Sequence, residues 1–413
     1  MTEQINTPEL RFLEFKDEWY QSNLDEMCSF TSGGTPSRKI NKYWDGDIPW
    51  ITTSDLNNKF IKNIFTKITS SGLKNSSAKL ITEPAIILAM YGQGKTRGKC
   101  SILNFPATTN QACAILQPNE FNNIEFVYQF LEKNYTYLRA QSNEGSQKNL
   151  SLSLLKKIKI NYPSLFEQNK ISDFFSKLDR QIELEEEKLE LLEQQKRGYM
   201  QKIFSQELRF KDDNGNEYPE WQFKNLGELG ETFTGLSGKT KDDFGYGDGL
   251  FITYMNVFKN TIAKSDMVER VKIGSNENQN RVQYGDILFT TSSEVPNEVG
   301  MSSIWLFNQD NVYLNSFCFG FRVVVNYIKP VYLARYLRSE EMRKTITILA
   351  QGSTRFNISK KEMMKLNIKV PYIEEQIKID NFFNKIDILI LKQGKKIEIL
   401  KHRKKGLLQK MFV

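Results

Sequence analysis

Two stretches of the chain decide the fold because they repeat each other. Residues 163–205 read PSLFEQNKISDFFSKLDRQIELEEEKLELLEQQKRGYMQKIFS, and residues 371–413 read PYIEEQIKIDNFFNKIDILILKQGKKIEILKHRKKGLLQKMFV. They align without a gap, and 18 of the 43 aligned positions are identical. Because such a repeat indicates a duplicated architecture, we expect two similar halves of about 200 residues each.

Both stretches carry the heptad pattern of a coiled coil. Apolar residues recur at alternating steps of three and four, interrupted by Glu185 and Lys196 in the first stretch and by Gln393 and Lys404 in the second. The first helix is acidic and the second basic, so we expect them to pair with each other. The alternative is that each apolar stripe packs against its neighbouring domain.

The polar interruptions suggest a register for this pair. We expect antiparallel helices with Glu185 opposite Lys404 and Lys196 opposite Gln393, because a dry layer should not set a charge against an apolar residue. The expected coiled-coil residues are Ile182, Glu185, Leu189, Leu192, Lys196, Ile390, Gln393, Ile397, Leu400 and Lys404.

A long variable region precedes each repeated stretch. Short apolar runs between turn signals predict strands at 85–90, 251–257, 286–290 and 319–325, and two longer segments, 125–140 and 331–349, predict helices. The expected fold class is α+β, with two similar mixed α/β domains, an antiparallel coiled coil of two long helices and a pseudo-two-fold internal repeat. We place the domains at 1–160 and 207–369 and the helices at 161–206 and 370–413.

Composition excludes several kinds of site. The 413 residues include one histidine, His402, so a Ser-His-Asp triad, a Cys-His pair and a His-rich metal site are excluded. The four cysteines form no C-x-x-C pair, which argues against zinc and a disulfide framework. The start lacks a signal-peptide pattern, and no run reaches about 18 apolar residues. We expect a cytoplasmic protein with reduced thiols, and we predict no catalytic residues and no metal.

The net charge of +8 favours a polyanion partner, and one loop offers contacts for it. Residues 89–96, AMYGQGKT, partly fit a phosphate-binding loop, but the residues that follow resemble a strand rather than the required helix. We interpret the loop as a hairpin tip that is too polar to pack and that contacts nucleic acid; a solvated hairpin is the alternative. Its candidate contacts are Tyr91, Gln93, Lys95, Arg97 and Lys99.

A second motif suggests methyl transfer. Asp47-Ile48-Pro49-Trp50 is similar to the motif with which amino-methyltransferases hold a flipped base. The only Gly-rich candidate for a methyl-donor loop, residues 244–249, follows charged residues rather than a strand and lies in the other half. We therefore expect Trp50 to be a buried packing residue.

Several motifs together resemble one family. They are P-x-x-x-E-Q-x-K-I-x-x-F-F in both repeated stretches, the similar segments GSQKNLS (145–151) and GSTRFNIS (352–359), TSGGTPS (31–37) and YWDGDIPWITTSDL (43–56). In these the chain resembles, over nearly its whole length, the specificity subunit of type I restriction–modification enzymes. The second half departs at 233–239, FTGLSGK, which lacks the T-P-S of the first.

The resemblance implies that each variable region reads one part of a bipartite DNA target. It also implies that the helices dock two modification subunits and that restriction subunits join them. S-adenosylmethionine, ATP and Mg²⁺ would belong to those partners, with no cofactor in this chain and no membrane. Further candidate DNA contacts are Arg38, Lys39, Asn110, Lys148, Ser292, Ser293 and Arg355. The alternatives are a catalytic DNA methyltransferase or nuclease, and a coiled-coil scaffold that binds no DNA.

Overall fold

The computed structural model describes residues 6–92, 95–140 and 149–413. The chain forms two compact units: the first consists of Met1–Glu187 with Gly394–Val413, and the second of Lys188–Gln393. Each unit thus combines one variable region with a part of both long helices. This division differs from the expected one, in which the helices were separate from the two domains.

The first unit is built from short strands and helices that precede a long helix. Its strands are β1 (Tyr20–Asn23), β2 (Cys28–Ser32), β3 (Trp44–Ile51), β4 (Lys67–Ile68), β5 (Ala85–Ala89), β6 (Cys100–Leu103), β7 (Thr108–Thr109), β8 (Cys113–Pro118) and β9 (Lys159–Tyr162). Its helices are α1 (Leu24–Met27), α2 (Ser70–Lys74), α3 (Ile124–Lys133), α4 (Tyr135–Ala140), α5 (Leu152–Lys156) and the first part of α6 (Leu165–Phe204).

An antiparallel sheet in the order β2-β8-β5-β6 forms the centre of the first unit. Every residue of β5 is buried, and alternate residues enter different cores because successive side chains of a strand point to opposite faces. Ile86 and Leu88 join the core that contains α3, whereas Ile87 and Ala89 join a smaller core on the other face. A second sheet has the order β4-β3-β7, and β1 pairs with β9.

The second unit repeats this arrangement. Its strands are β10 (Gln222–Asn225), β11 (Gly230–Thr234), β12 (Phe244–Ile252), β13 (Val268–Val271), β14 (Ile287–Thr290), β15 (Ser292–Ser293), β16 (Ser302–Ile304), β17 (Val312–Leu314), β18 (Cys318–Val323), β19 (Phe356–Asn357) and β20 (Asn367–Val370). Its helices are α7 (Leu226–Leu229), α8 (Tyr254–Lys259), α9 (Pro330–Tyr336), α10 (Glu340–Ile348), α11 (Lys360–Met363) and the first part of α12 (Ile373–Met411).

The sheets of the second unit have the orders β11-β18-β14-β16, β13-β12-β17, β10-β20 and β15-β19. The first three have counterparts in the first unit with the same sequence of strands, which confirms the internal repeat. The strands predicted at 85–90, 286–290 and 319–325 are present as β5, β14 and β18.

One strand prediction is wrong in part. Within 251–257 only Phe251 and Ile252 belong to a strand, because Thr253 is the N-cap of helix α8, which begins at Tyr254. The Thr253 side chain accepts a hydrogen bond from the Asn256 amide at 3.2 Å, which is N-cap geometry. Each of the two predicted shorter helices is also divided in two, α3 from α4 at Asn134 and α9 from α10 before Ser339.

The repeated P-x-x-x-E-Q motif anchors each long helix to its own unit. The buried Glu375 carboxylate accepts hydrogen bonds from Arg209 at 2.7 Å and from the Trp221 indole at 2.9 Å. The Gln376 amide donates to the Pro371 carbonyl at 2.8 Å and accepts from the Lys329 amide at 2.8 Å. The equivalent residues of the first unit make the same contacts: Glu167 with Arg11 and Trp19, and Gln168 with Pro163 and Asn123. The motif is therefore structural.

Candidate nucleic-acid interface

Hydrogen bonds to backbone groups bring together four segments of the first unit, namely the Gly33–Gly34 loop, the 109–112 turn, the hairpin tip and the segment at Leu150. The Gly34 amide donates to the Thr109 carbonyl, and the Trp50 indole donates to the Gly34 carbonyl, both at 2.9 Å. A Cβ on Gly33 would lie 2.1 Å from the Thr109 carbonyl oxygen, so only glycine fits there. The loop that contains Gly33 and Gly34 therefore lies against the 109–112 turn.

The hairpin tip, residues 91–99, begins beside the same turn. The Met90 amide donates to the Ala112 carbonyl at 2.9 Å, and the Met90 carbonyl accepts from the Leu150 amide at 3.0 Å. Segments that carry the candidate residues Arg38, Tyr91 and Asn110 are thus neighbours in space. Gln93 and Lys148 lie outside the described residues.

Arg38 is held over two tryptophans. Its guanidinium carbon lies 5.3 Å from the centroid of the Trp44 ring and 5.7 Å from that of Trp50, which is cation–π geometry. Arg38 and its neighbour Lys39 are exposed, whereas Trp50 is buried as we predicted. The structure therefore presents Arg38 to solvent with its guanidinium plane supported from below.

The tip does pack, contrary to our expectation. Arg97 donates from Nη2 to the Arg139 carbonyl at 2.8 Å, and the Tyr135 hydroxyl donates to the Lys95 carbonyl at 2.5 Å. Lys99 Nζ contacts the Asn57 side-chain oxygen at 3.3 Å, and Tyr91 is exposed. Arg97 thus holds the tip to helix α4 through the Arg139 carbonyl, and Lys99 holds it to Asn57 of the same unit.

Asn110 has a structural role that the repeat makes visible. Its side-chain oxygen accepts from the Ala112 amide at 3.1 Å, and its own amide donates to the Ile51 carbonyl at 2.9 Å. In the second unit Asn315 makes the equivalent bonds, accepting from the Phe317 amide at 2.9 Å and donating to Ile252 at 3.2 Å. Both asparagines shape a turn, as the short Asn side chain commonly does.

The corresponding loops also meet in the second unit. The Thr291 amide donates to the Phe317 carbonyl at 3.0 Å, and the Thr291 carbonyl accepts from the Ile358 amide at 3.0 Å. This brings the candidates Ser292, Ser293 and Arg355 together. Arg355 donates to the Ser292 hydroxyl, and Ser293 donates from its hydroxyl to Glu298 at 3.0 Å.

Three residues of this region were missed from the sequence. Arg343 of α10 donates to the carbonyls of Asn297 and Gly300 at 2.9 Å and of Val299 at 2.5 Å. These bonds hold the tip of the second unit, which is the loop 294–301 between β15 and β16. Tyr254 and Phe317 support Ser292 and Arg355. No motif marks Arg343 or Tyr254, but aligning the two halves at their asparagine turns would have drawn attention to Phe317.

Ion pairs between the long helices correct the predicted register. In the first unit Asp179 pairs with Lys404 at 2.6 Å, and Glu185 pairs with Lys396 at 2.5 Å. In the second unit Lys196 pairs with Asp387 at 2.6 Å. The antiparallel direction is confirmed, but the expected Glu185–Lys404 register is displaced by about one heptad.

The reason for the displacement is that the charged residues of the apolar heptad stripe, the seam of the two helices, are not in dry layers. The side chains of Glu185, Lys404 and Asp179 keep 14–15% of their exposure, so a long charged side chain can reach from the seam to a flanking partner. Among the other expected seam residues Ile182, Gln393, Ile397 and Leu400 are buried, whereas Leu189, Leu192 and Ile390 are half-buried.

The cysteines show no sign of reactivity. All four are buried and unpaired, and burial raises the pKa of Cys28 and of Cys113 to about 12, which keeps both thiols protonated. Among residues 6–92, 95–140 and 149–413, no cluster of His, Cys, Asp and Glu could hold a metal ion. The same residues include no helix long and apolar enough to cross a membrane.

Comparison with known proteins agrees with this duplicated geometry. The family model described as type I restriction modification DNA specificity domain matches twice, at residues 16–194 and 218–401. The chain belongs to this family. Each of the two family domains covers one variable region and most of the long helix that follows it.

Two curated relatives and one solved structure illustrate the family. The chain is 30% identical over 239 residues to the type I restriction enzyme MjaIX specificity subunit of Methanocaldococcus jannaschii, and it spans about half of that relative, 54% of each chain. It is 22% identical to the MjaVIII specificity subunit of the same organism over 97% of this chain and 93% of that one. A structure described as showing complex assembly and conformational transition of the type I restriction–modification system has the same fold, with a TM-score of 0.59 and 17% identity over 96% of this chain and 98% of that one.

Proposed function

We propose that this chain is the DNA sequence-recognition subunit of a type I restriction–modification complex and that each unit reads one part of a bipartite target. The observation that carries the proposal is that both units assemble the same loops with the same backbone hydrogen bonds. The Met90–Ala112 and Met90–Leu150 bonds of the first unit correspond to the Thr291–Phe317 and Thr291–Ile358 bonds of the second. Two units that position their loops with the same backbone bonds but carry different side chains are suited to a DNA target whose two halves differ in sequence.

The exposed residues of these loops suit DNA. Arg38 rests on Trp44 and Trp50, and Arg355 rests on Phe317, so each unit presents an arginine on an aromatic support. Arginine contacts both phosphates and base edges, and the net charge of +8 favours a polyanion. The chain itself is not an enzyme in this proposal, because the relatives are specificity subunits and the described cysteines are inert.

The long helices offer two equivalent docking positions. Leu191 on α6 and Ile399 on α12 occupy the same position of the repeat and are 57% and 66% exposed. A single exposed apolar side chain is ordinary, but we take its recurrence at equivalent places of the two helices as the mark of a protein contact. We infer two modification subunits that carry S-adenosylmethionine, joined in the cytoplasm by restriction subunits that use ATP and Mg²⁺.

Mapping DNA methylation tests the recognition role. The chain and its modification partners are expressed in a host that lacks other DNA methyltransferases, and modified bases are located across the genome. We expect one bipartite sequence with an unspecified spacer. A continuous target would contradict the reading of two half-sites, and methylation by the purified chain and S-adenosylmethionine alone would favour the catalytic alternative. Absence of any salt-sensitive, sequence-selective DNA binding would favour the scaffold.

Light scattering of the assembled complex tests the docking positions. Leu191→Asp and Ile399→Asp should each reduce the number of bound modification subunits from two to one, because a charge at a buried apolar contact is costly. Leu13→Asp, at a residue that is 92% exposed and lies outside the helices, is the matched control and should bind two. Unchanged binding in both helix variants would show that the modification subunits dock elsewhere.

A further inference from the structure

We propose that Arg355 recognises a guanine in the half of the DNA target that the second unit reads. The inference rests on the proposed function and adds a residue and a base to it. Arg355 lies in the GSTRFNIS segment immediately before β19, and its side chain is held in one orientation by two neighbours from other parts of the unit.

The first neighbour is Ser292, whose hydroxyl oxygen accepts two hydrogen bonds from the guanidinium. Arg355 Nε lies 3.3 Å and Nη2 lies 3.1 Å from Ser292 Oγ. The second neighbour is Phe317, whose ring centroid lies 5.3 Å from the guanidinium carbon. The serine fixes one edge of the guanidinium, and the ring supports its face.

Both neighbours are themselves fixed. Ser292 pairs with Asn357 between β15 and β19, and its carbonyl accepts from the Tyr254 hydroxyl at 2.6 Å. The carbonyl of Phe317 accepts from the Thr291 amide at 3.0 Å and from the Thr291 hydroxyl at 2.8 Å. Arg355 is therefore oriented before any ligand arrives, which lowers the entropy cost of binding.

The guanidinium retains donors for an external acceptor. Its contacts in the described part of the chain are the Ser292 hydroxyl and the Phe317 ring, without a carboxylate, and the residue is exposed. An arginine has five N–H donors and two of them point at Ser292, so the two on Nη1 and the second on Nη2 remain available along one edge. An exposed, oriented cation without an acidic partner suits an acceptor-rich surface such as DNA.

Guanine fits this arrangement better than a phosphate does. Guanine presents O6 and N7 side by side in the major groove, and a planar guanidinium binds both at once. Such recognition needs a fixed plane, which Ser292 and Phe317 provide. A phosphate can also accept two guanidinium donors, but phosphate contacts carry no sequence information and are made equally by flexible lysines. The fixed plane therefore favours a base edge, where the orientation of the donors decides the specificity.

Selection of bound sequences from random DNA tests the inference with the full chain in its modification complex. In Arg355→Ala, which removes every guanidinium donor, we expect one guanine position, in one half-site, to lose its preference by about 5- to 150-fold, while the other half-site is unchanged. Phe317→Leu and Ser292→Ala should relax the same position more weakly. Replacing that guanine by 7-deazaguanine, which lacks the N7 acceptor, should weaken the wild type and leave Arg355→Ala unaffected.

Arg270→Ala is the matched control, because Arg270 is exposed on β13 and its one described contact is a 3.4 Å bond to the Gly247 carbonyl. Thermal melting confirms that each variant is folded. If Arg355→Ala lowers affinity equally for all sequences, the residue binds phosphate and the inference is wrong. If every guanine preference survives, the inference is also wrong while the proposed function stands. A wild-type complex that selects no motif would overturn both.

Discussion

Lys404 Nζ lies 2.6 Å from Asp179 Oδ1 in the first unit. The repeat equivalents of these residues, Lys196 and Asp387, form an ion pair of the same length in the second unit. Since both pairs relate a seam lysine to a flanking aspartate, they fix the register in each unit in the same way. The same lysine–aspartate ion pair therefore sets the helix register in each of the two units.

Cysteine cross-linking tests that register within the first unit. We expect Ile182→Cys with Leu400→Cys to oxidise to a disulfide readily, because the observed ion pairs place these two buried positions in one layer. Ile182→Cys with Leu407→Cys, the pair of the register predicted from the sequence, is the control and should cross-link poorly. Non-reducing electrophoresis of proteins whose native cysteines are replaced measures both, and preference for the Leu407 pair would contradict the structure.

Exchanging residues 20–145 for the same region of a relative should change one half of the DNA target. The reason is that each unit carries its own sheets, cores and loop framework. Methylation mapping of the chimaera measures the result, with the parental chain as control. Altered recognition in both halves by a folded, assembled chimaera would show that the units do not read DNA independently.

Arg209→Met should lower the free energy of unfolding by about 3 kcal/mol, since it leaves the buried Glu375 carboxylate without its cation. Lys378→Met is the matched control, because Lys378 pairs with Asp213, whose side chain is 95% exposed, and such a pair contributes about 1 kcal/mol or less. Urea unfolding of both variants measures the difference. Equal losses would mean that Glu375 is stabilised mainly by the Trp221 indole.

Glu132→Gln should stabilise the protein at neutral pH. Burial raises the pKa of Glu132 above its ordinary value of 4.5, because desolvation disfavours the carboxylate more than Lys404 stabilises it. The charged form thus opposes folding once the pH exceeds 4.5, and this cost grows until the pH passes the raised pKa. Glutamine removes the cost, so the gain in melting temperature should be present at pH 7–8 and vanish near pH 4.

The exposed substitution Glu120→Gln is the control for the change in net charge. Melting curves of the two variants and the wild type between pH 4 and 8 measure the effect. A gain from Glu132→Gln that stays constant over this range would show that the side chain acts through packing rather than through its ionisation.

Arg343→Ala should relax sequence recognition in one half-site, because the tip of the second unit loses three hydrogen bonds to its backbone carbonyls. We expect a stability loss of about 1–3 kcal/mol as well. Arg343→Lys, which can restore one of the three bonds, should lie between the alanine variant and the wild type. Selection of bound sequences measures recognition, and an unchanged motif in the folded alanine variant would show that the tip position does not matter.

The amino-acid sequence alone determined the features that depend on local pattern. The gapless repeat predicted two similar halves, the heptads predicted the two long helices, and the apolar run at 85–90 predicted β5. The failure at 251–257 has a local cause too, since Thr253 can cap a helix as readily as it can extend a strand. A periodic pattern can be read from the sequence because it depends only on residues that are close together along the chain.

Only the tertiary structure decided the register and the arrangement of the candidate DNA contacts. Glu185 forms its ion pair with Lys396 rather than with Lys404, because a long charged side chain can extend from the seam to a partner at the edge of the helix pair. Arg355 meets Ser292 across 63 residues of chain, and Arg97 turns to the Arg139 carbonyl across 42. Such contacts depend on which strands pair and where each turn ends, so they are fixed only once the sheets and cores have formed.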